Sequence, residues 1–138
     1  LKVVINNSDL ISINDEESEM ITGEKELDKA AEVLHSMGPK FVIIKKAADG
    51  AELFNFENKF KSNAFKVAKV VDPTGAGDCF IGGIAGYLTQ SEVISFDTIK
   101  SAIAYGTAIA SYNVENMGTK NLLNLSMDDI KIRINKLN

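Results

Sequence analysis

The sequence predicts an α/β fold: a mostly parallel sheet covered on both faces by helices, with one local antiparallel hairpin. Three observations predict it. Short apolar, β-branched runs at residues 9–13 and 41–45 alternate with longer segments of helical period. A Gly-rich turn, Asp72-Pro73-Thr74-Gly75-Ala76-Gly77-Asp78, joins the apolar residues Val70-Val71 to the apolar run from Cys79-Phe80 onward. The chain has 138 residues, 45% hydrophobic and 25% charged, which suits one globular core.

The elements follow in order. Residues 1–6 read as the end of a helix. With no Met ahead of Leu1, the sequence is expected to be a piece of a longer chain. Residues 9–13 read as a short strand, and residues 16–22 as a helical turn closed by Gly23. Leu27, Ala30, Ala31 and Leu34 share a face over residues 25–37, an amphipathic helix ended by Gly38-Pro39. His35 on that helix has no partner at motif spacing and is expected to be solvated. Residues 41–45 form a buried strand. Residues 51–56 and 59–63 flank Glu57-Asn58 as a hairpin, and residues 66–71 read as the strand entering the Gly-rich turn.

Two helices come next. Residues 78–88 place Phe80, Ile84 and Leu88 on one face, with Gly82, Gly83 and Gly86 allowing close packing. Residues 96–112 are rich in Ala102, Ala104, Gly106, Ala108 and Ala110, lean enough to lie against another backbone or a flat ligand. Residues 126–137 close the chain as an amphipathic helix, with Ser126 as N-cap and Asp129 three residues on. There is no repeat, low-complexity segment or internal linker.

Composition narrows the function. A net charge of −4, without a Lys/Arg stripe interleaved with aromatics, argues against a nucleic-acid partner. No apolar run has the length of a membrane span. The single cysteine, Cys79, excludes an internal disulfide framework and suits a reducing, cytoplasmic setting. It reads as a small packed residue rather than a nucleophile. A homo-oligomer is compatible with all of this.

The chemistry concentrates in the Gly-rich turn. Gly75 and Gly77 let a ligand approach the main chain, and the free N–H groups of a helix start favour an anion. A carboxylate inside such a cradle makes sense if Asp78 takes a proton from a substrate hydroxyl while the N–H groups hold phosphoryl charge. The alternative is a Gly-rich turn whose first-turn Asp only complements the helix dipole. Neither G-x-G-x-x-G nor G-x-x-x-x-G-K-[ST] is present.

The run Asp72-Pro73-Thr74-Gly75-Ala76-Gly77-Asp78-Cys79-Phe80 resembles the second signature of the ribokinase-like, or PfkB, family of carbohydrate and nucleoside kinases. Supporting similarity lies in Ile13-Asn14-Asp15-Glu16-Glu17, Ile21-Thr22-Gly23, Phe41-Val42-Ile43-Ile44-Lys45-Lys46 and Asp49-Gly50-Ala51. The resemblance spans essentially all of residues 1–138 and corresponds to the C-terminal, nucleotide-binding and catalytic half of the family. It implies a three-layer α/β/α, Rossmann-like architecture, of which this is the C-terminal portion. The acceptor-binding half lies outside this sequence.

The resemblance also assigns roles. Asp78 resembles the catalytic base, and the N–H groups around Gly75, Ala76 and Gly77 resemble the anion hole. Asn14 and Glu17 match the family's N-x-x-E motif, which places Mg²⁺ through its waters; residue type alone makes Asp15-Glu16-Glu17 an acidic helix start. Lys45 and Gly50 stand at the family's nucleotide-facing strand end. Many members have T-x-G-x-x-G there, and this chain has Lys45 for Thr and Ala47 for Gly. Ala47 costs little if its φ is negative. Gly106, Thr107, Ala110 and Gly118 resemble the adenine wall, with tight helix packing as the alternative. Asp72 and the loop after Asn113 are the place where some members hold a monovalent cation. The function implied is ATP- and Mg²⁺-dependent transfer of the γ-phosphate to a hydroxyl of a sugar, sugar phosphate or nucleoside. The alternative is an inactive fragment that binds nucleotide or packs against a partner.

Overall fold

A computed structural model describes residues 2–137. The chain divides into two units, Leu1–Ser62 and Asn63–Asn138.

The first unit is α/β. Helix α1 (Lys2–Asn6) precedes strand β1 (Leu10–Asn14), helices α2 (Asp15–Thr22) and α3 (Leu27–Ser36), and strands β2 (Phe41–Lys45), β3 (Ala51–Phe54) and β4 (Lys59–Ser62). The sheet is mixed, in the order β1-β2-β3-β4. β1 and β2 are parallel, in a register that runs from Leu10 beside Phe41 to Asn14 beside Lys45. They are joined by the α2–α3 crossover that a parallel pair requires. β2–β3 and β3–β4 are antiparallel.

Strand alternation turns Val42, Ile44 and Phe54 to the face that meets Ala30, Ala31 and Leu34 of α3, with Ile11 and Ile13 against them. The alanines let α3 lie close to the sheet. His35, expected to be solvated, is instead buried. Its Nδ1–H donates to the Pro39 carbonyl at 2.8 Å, and its ring lies 4.7 Å from that of Phe56. The Gly38-Pro39 turn folds the chain back under the helix end, which spacing alone does not reveal.

Glu52 is a buried carboxylate on β3, 6% exposed, between Lys46 at 2.7 Å and Lys59 at 3.1 Å. Lys59 also reaches Asp28 of α3 at 2.9 Å. Burial alone pushes the Glu52 carboxyl up, but the Lys46 and Lys59 hydrogen bonds and charges outweigh it, and the group titrates below its ordinary 4.5. A lowered folded-state value contributes stability above the unfolded value and loses it as pH falls through the folded one. Stability is therefore expected to fall below about pH 4.5. Glu52→Gln should flatten the acid limb of a pH series of urea midpoints; an unchanged limb would remove Glu52 from the account.

The β2–β3 connection is a short 3-10 turn, Ala47–Asp49, closed by Lys46 N–H to Gly50 O at 2.7 Å. Ala47 adopts φ +46°, not the negative φ at which alanine is free of strain. A left-handed alanine costs about 1–2 kcal/mol, and a glycine loses about 0.4–1 kcal/mol through the unfolded chain. The first term wins, so Ala47→Gly is expected to stabilise the protein by about 0.5–1 kcal/mol. A lowered thermal midpoint would contradict it.

The second unit is helical: α4 (Ala76–Leu88), α5 (Phe96–Val114) and α6 (Met127–Ile134). Among the described residues, 63–75 contain no strand, which corrects the strand expected at residues 66–71. The apolar residues are there, but Val70 and Val71 are 56% and 47% exposed. The N–H groups of Val71 and Asp72 bond the Val114 carbonyl, at the end of α5, instead.

Helices α4 and α5 pack backbone to backbone. A Cβ on Gly83 would lie 2.8 Å from the Gly106 Cα, and one on Gly106 would lie 2.5 Å from the Phe80 carbonyl oxygen. Gly82 and Gly86, expected to share that role, face open space. Ser95 and Ser126 cap α5 and α6, the latter in a capping box with Asp129. Arg133 ties α6 down. Its guanidinium lies 3.3 Å over Tyr112 and 4.8 Å over Phe65 and bonds Ser111 Oγ and Glu115.

Candidate active site

The sequence makes the turn into α4 in three steps. Asp72 Oδ1 accepts the Thr74 N–H at 2.9 Å, which bends the chain after the proline. The Ala76 N–H reaches back to Pro73 O at 3.2 Å. Gly75, at φ +79°, then reverses the backbone as N-cap, with no side-chain cap. The first helical bond is Cys79 N–H to Gly75 O, at 2.9 Å.

These bonds leave the Gly75, Gly77 and Asp78 N–H groups without an acceptor among the described residues. They stand at the positive end of a helix of 13 residues. Asp78 is exposed in that first turn. The arrangement pairs backbone N–H groups that lack an internal acceptor with a solvent-facing carboxylate in the same turn.

The surrounding groups are set by simple electrostatics. The Thr74 backbone N–H, then its hydroxyl, and further the Gly118 N–H hold the Asp72 carboxyl below its usual range. Burial, and then the Asp78 charge, push the Cys79 thiol up, which disfavours the thiolate. Asn113 of α5, 2% exposed, donates from Nδ2 to the Thr74 carbonyl at 2.8 Å. Sequence reading did not single out Asn113.

In the first unit, Asn14 is the N-cap of α2. Its Oδ1 accepts the Glu17 N–H at 2.6 Å, and Glu17 Oε2 accepts the Asn14 N–H at 2.8 Å. The N-x-x-E motif is thus a capping box, a signature legible in the sequence itself. Glu17 remains exposed, with its second carboxylate oxygen outside the box. Among the described residues, no group of three or more His, Cys, Asp or Glu side chains is placed to hold a metal. One carboxylate and an amide oxygen fit Mg²⁺ only in its water-rich, phosphate-bound form. Lys45 lies half-buried beside Asn14 in the β1–β2 register, and Gly50 turns into β3 at φ +89°.

The small-residue helix divides. Gly106 packs against Phe80 and Ile84 of α4, as the tight-packing alternative for this helix expects. Thr107 is 9% exposed and Ala110 half-buried. Gly118, at φ +60°, lies in the exposed loop after α5.

The sequence model described as pfkB family carbohydrate kinase matches residues 1–125. The chain belongs to the pfkB family. It is 35% identical over 89 residues to the cytidine kinase of Thermococcus kodakarensis, covering 63% of this chain and 32% of that protein. To the ribokinase of Haemophilus influenzae it is 34% identical over 119 residues, covering 81% and 36%. Aminoimidazole riboside kinase from Salmonella enterica, solved with aminoimidazole riboside and an ATP analog, superposes with a TM-score of 0.84 at 26% identity. That superposition takes in 96% of this chain and 44% of the kinase. The fold is therefore ribokinase-like α/β, and the chain spans about a third of the length of these curated pfkB relatives.

Proposed function

We propose that the protein containing this chain is an ATP-dependent kinase that phosphorylates a hydroxyl of a sugar, sugar phosphate or nucleoside. The observation that carries the proposal is the exposed Asp78 carboxylate in the first turn of α4, beside backbone N–H groups that no internal acceptor takes. The pfkB membership supports it, as does the ATP analog bound to the structurally similar riboside kinase.

In this reading Asp78 accepts the proton of the acceptor hydroxyl as its oxygen bonds to the γ-phosphorus. The bond from that phosphorus to the β–γ bridging oxygen breaks, and ADP leaves. The Gly75 and Gly77 N–H groups hold the negative charge on the phosphoryl oxygens, which is where phosphoryl transfer gains most from a protein, whereas the Ala76 N–H, expected in the same role, is taken by Pro73 O. Lys45 and Gly50 are assigned to the phosphates, and Thr107, Ala110 and Gly118 to the base. Glu17 and Asn14 would hold Mg²⁺ through its waters, and the ion when bound would supply charge neutralisation at the phosphates. Asp72 and the Gly118 loop are the assignment for a monovalent cation, if the protein uses one.

Glu17→Ala tests the metal part. It is expected to raise the Mg²⁺ concentration for half-maximal rate about tenfold, the lower end of the losses seen when groups orienting metal ligands are removed. An unchanged Mg²⁺ dependence, with only the α2 cap weakened, would leave Glu17 a structural residue. The activity itself is tested by acceptor-dependent ADP release from MgATP across a panel of sugars, sugar phosphates and nucleosides. ADP release that no acceptor stimulates would overturn transfer.

A further inference from the structure

Residues 71–75 belong to no strand or helix, and their backbone is held by the last turn of α5. The Val71 and Asp72 N–H groups bond the Val114 carbonyl at 2.7 and 3.3 Å, using an acceptor that a helix end leaves free. One residue earlier, the buried Asn113 donates from Nδ2 to the Thr74 carbonyl at 2.8 Å. That carbonyl shares a peptide unit with the Gly75 N–H. In a planar trans peptide the two point in opposite directions. Drawing Thr74 O toward α5 therefore turns the Gly75 N–H away from α5, where no acceptor among the described residues takes it.

The tether matters because the next residue is a glycine at φ +79°. Glycine populates both signs of φ readily, so an unheld Thr74–Gly75 peptide is free to rotate and withdraw its N–H. We infer that Asn113 is a positioning residue: its amide fixes the Thr74–Gly75 peptide plane and so aims the Gly75 N–H as an anion donor. The inference rests on the proposed reading of this loop as an anion hole. A merely structural amide, present to satisfy a buried carbonyl, would support the same hydrogen bond without affecting anion binding.

The experiment uses ¹⁵N-labelled whole protein, inorganic phosphate as the probe, and the variants Asn113→Ala and Asn113→Leu. The leucine keeps the volume, lacks the amide donor and adds no charge that would itself repel phosphate, so it decides wherever the alanine variant melts too early. In the wild type, phosphate is expected to shift the Gly75, Gly77 and Asp78 amides saturably. In the variants the Gly75 shift should vanish while the Gly77 shift persists, with phosphate binding weakened about tenfold. The kcat of transfer should fall about 100-fold, the lower end of the scale of losing one oxyanion donor, with the acceptor KM held. Variants with lowered melting points but unchanged Gly75 shifts overturn the inference, as does a wild-type Gly75 amide that ignores phosphate. The two readings separate cleanly. A wild type that binds phosphate at Gly75 but transfers nothing defeats the kinase proposal, and Asn113 then stands or falls on the variants' Gly75 shifts.

Discussion

Asp78→Asn is expected to reduce phosphoryl transfer by about 10²–10⁴-fold, the contribution of a positioned general base. The amide has the shape of the carboxylate, so the first turn of α4 keeps its geometry and MgATP affinity should stay within about threefold, well under 1 kcal/mol. The pattern separates two roles for one side chain. A base lowers kcat and kcat/KM together, because its interaction exists only in the transition state. A residue that only complements the helix dipole would lose about 0.3–1 kcal/mol of stability and leave kcat alone. Single-turnover rates beside a melting curve distinguish them. Full activity in Asp78→Asn would remove Asp78 from the chemistry.

The second large effect belongs to the seam between α4 and α5. Gly106→Ala places a methyl 2.5 Å from the Phe80 carbonyl oxygen, with Ile84 Cγ1 at 3.1 Å. Backbone cannot yield as a flexible side chain does, so the helices must part. Overpacking of this kind costs about 1–3 kcal/mol and occasionally more. Alanine's better helix propensity returns about 1 kcal/mol. We expect a net loss of about 1–2 kcal/mol, at the upper end of that difference because the clash is with backbone, and large against total stabilities of about 5–15 kcal/mol. Gly82→Ala, in α4 but facing open space, supplies the control. There only propensity acts, and a gain of about 0.5–1 kcal/mol is expected. Equal responses of the two variants in urea unfolding would refute the assigned seam.

What the sequence disclosed follows from the range of the interactions concerned. β2 and the β3–β4 hairpin were legible because β-branched runs and turn residues are local signals, and the Ser126–Asp129 box because it spans three residues. The Asn14–Glu17 capping box was equally local; its signature coincides with the family's metal motif, and the structure shows the cap. The strand expected at residues 66–71 failed because apolar patterning does not encode whether a sheet edge is available to pair. His35 was misplaced because its burial depends on Pro39 and Phe56, outside its own helical period. Ala47 was expected to be harmless at negative φ, and the turn demands the opposite sign. Asn113 was invisible because its partner, Thr74, lies 39 residues away.

The Gly-rich turn itself was legible in outline: free N–H groups at a helix start, with a carboxylate in the first turn. Its role is tested most directly by titrating the ¹⁵N-labelled protein with MgATP and following every backbone amide. The account predicts saturable shifts centred on Gly75, Ala76, Gly77 and Asp78, reversed by excess inorganic phosphate. A folded protein that binds MgATP while those four amides stay still would contradict it.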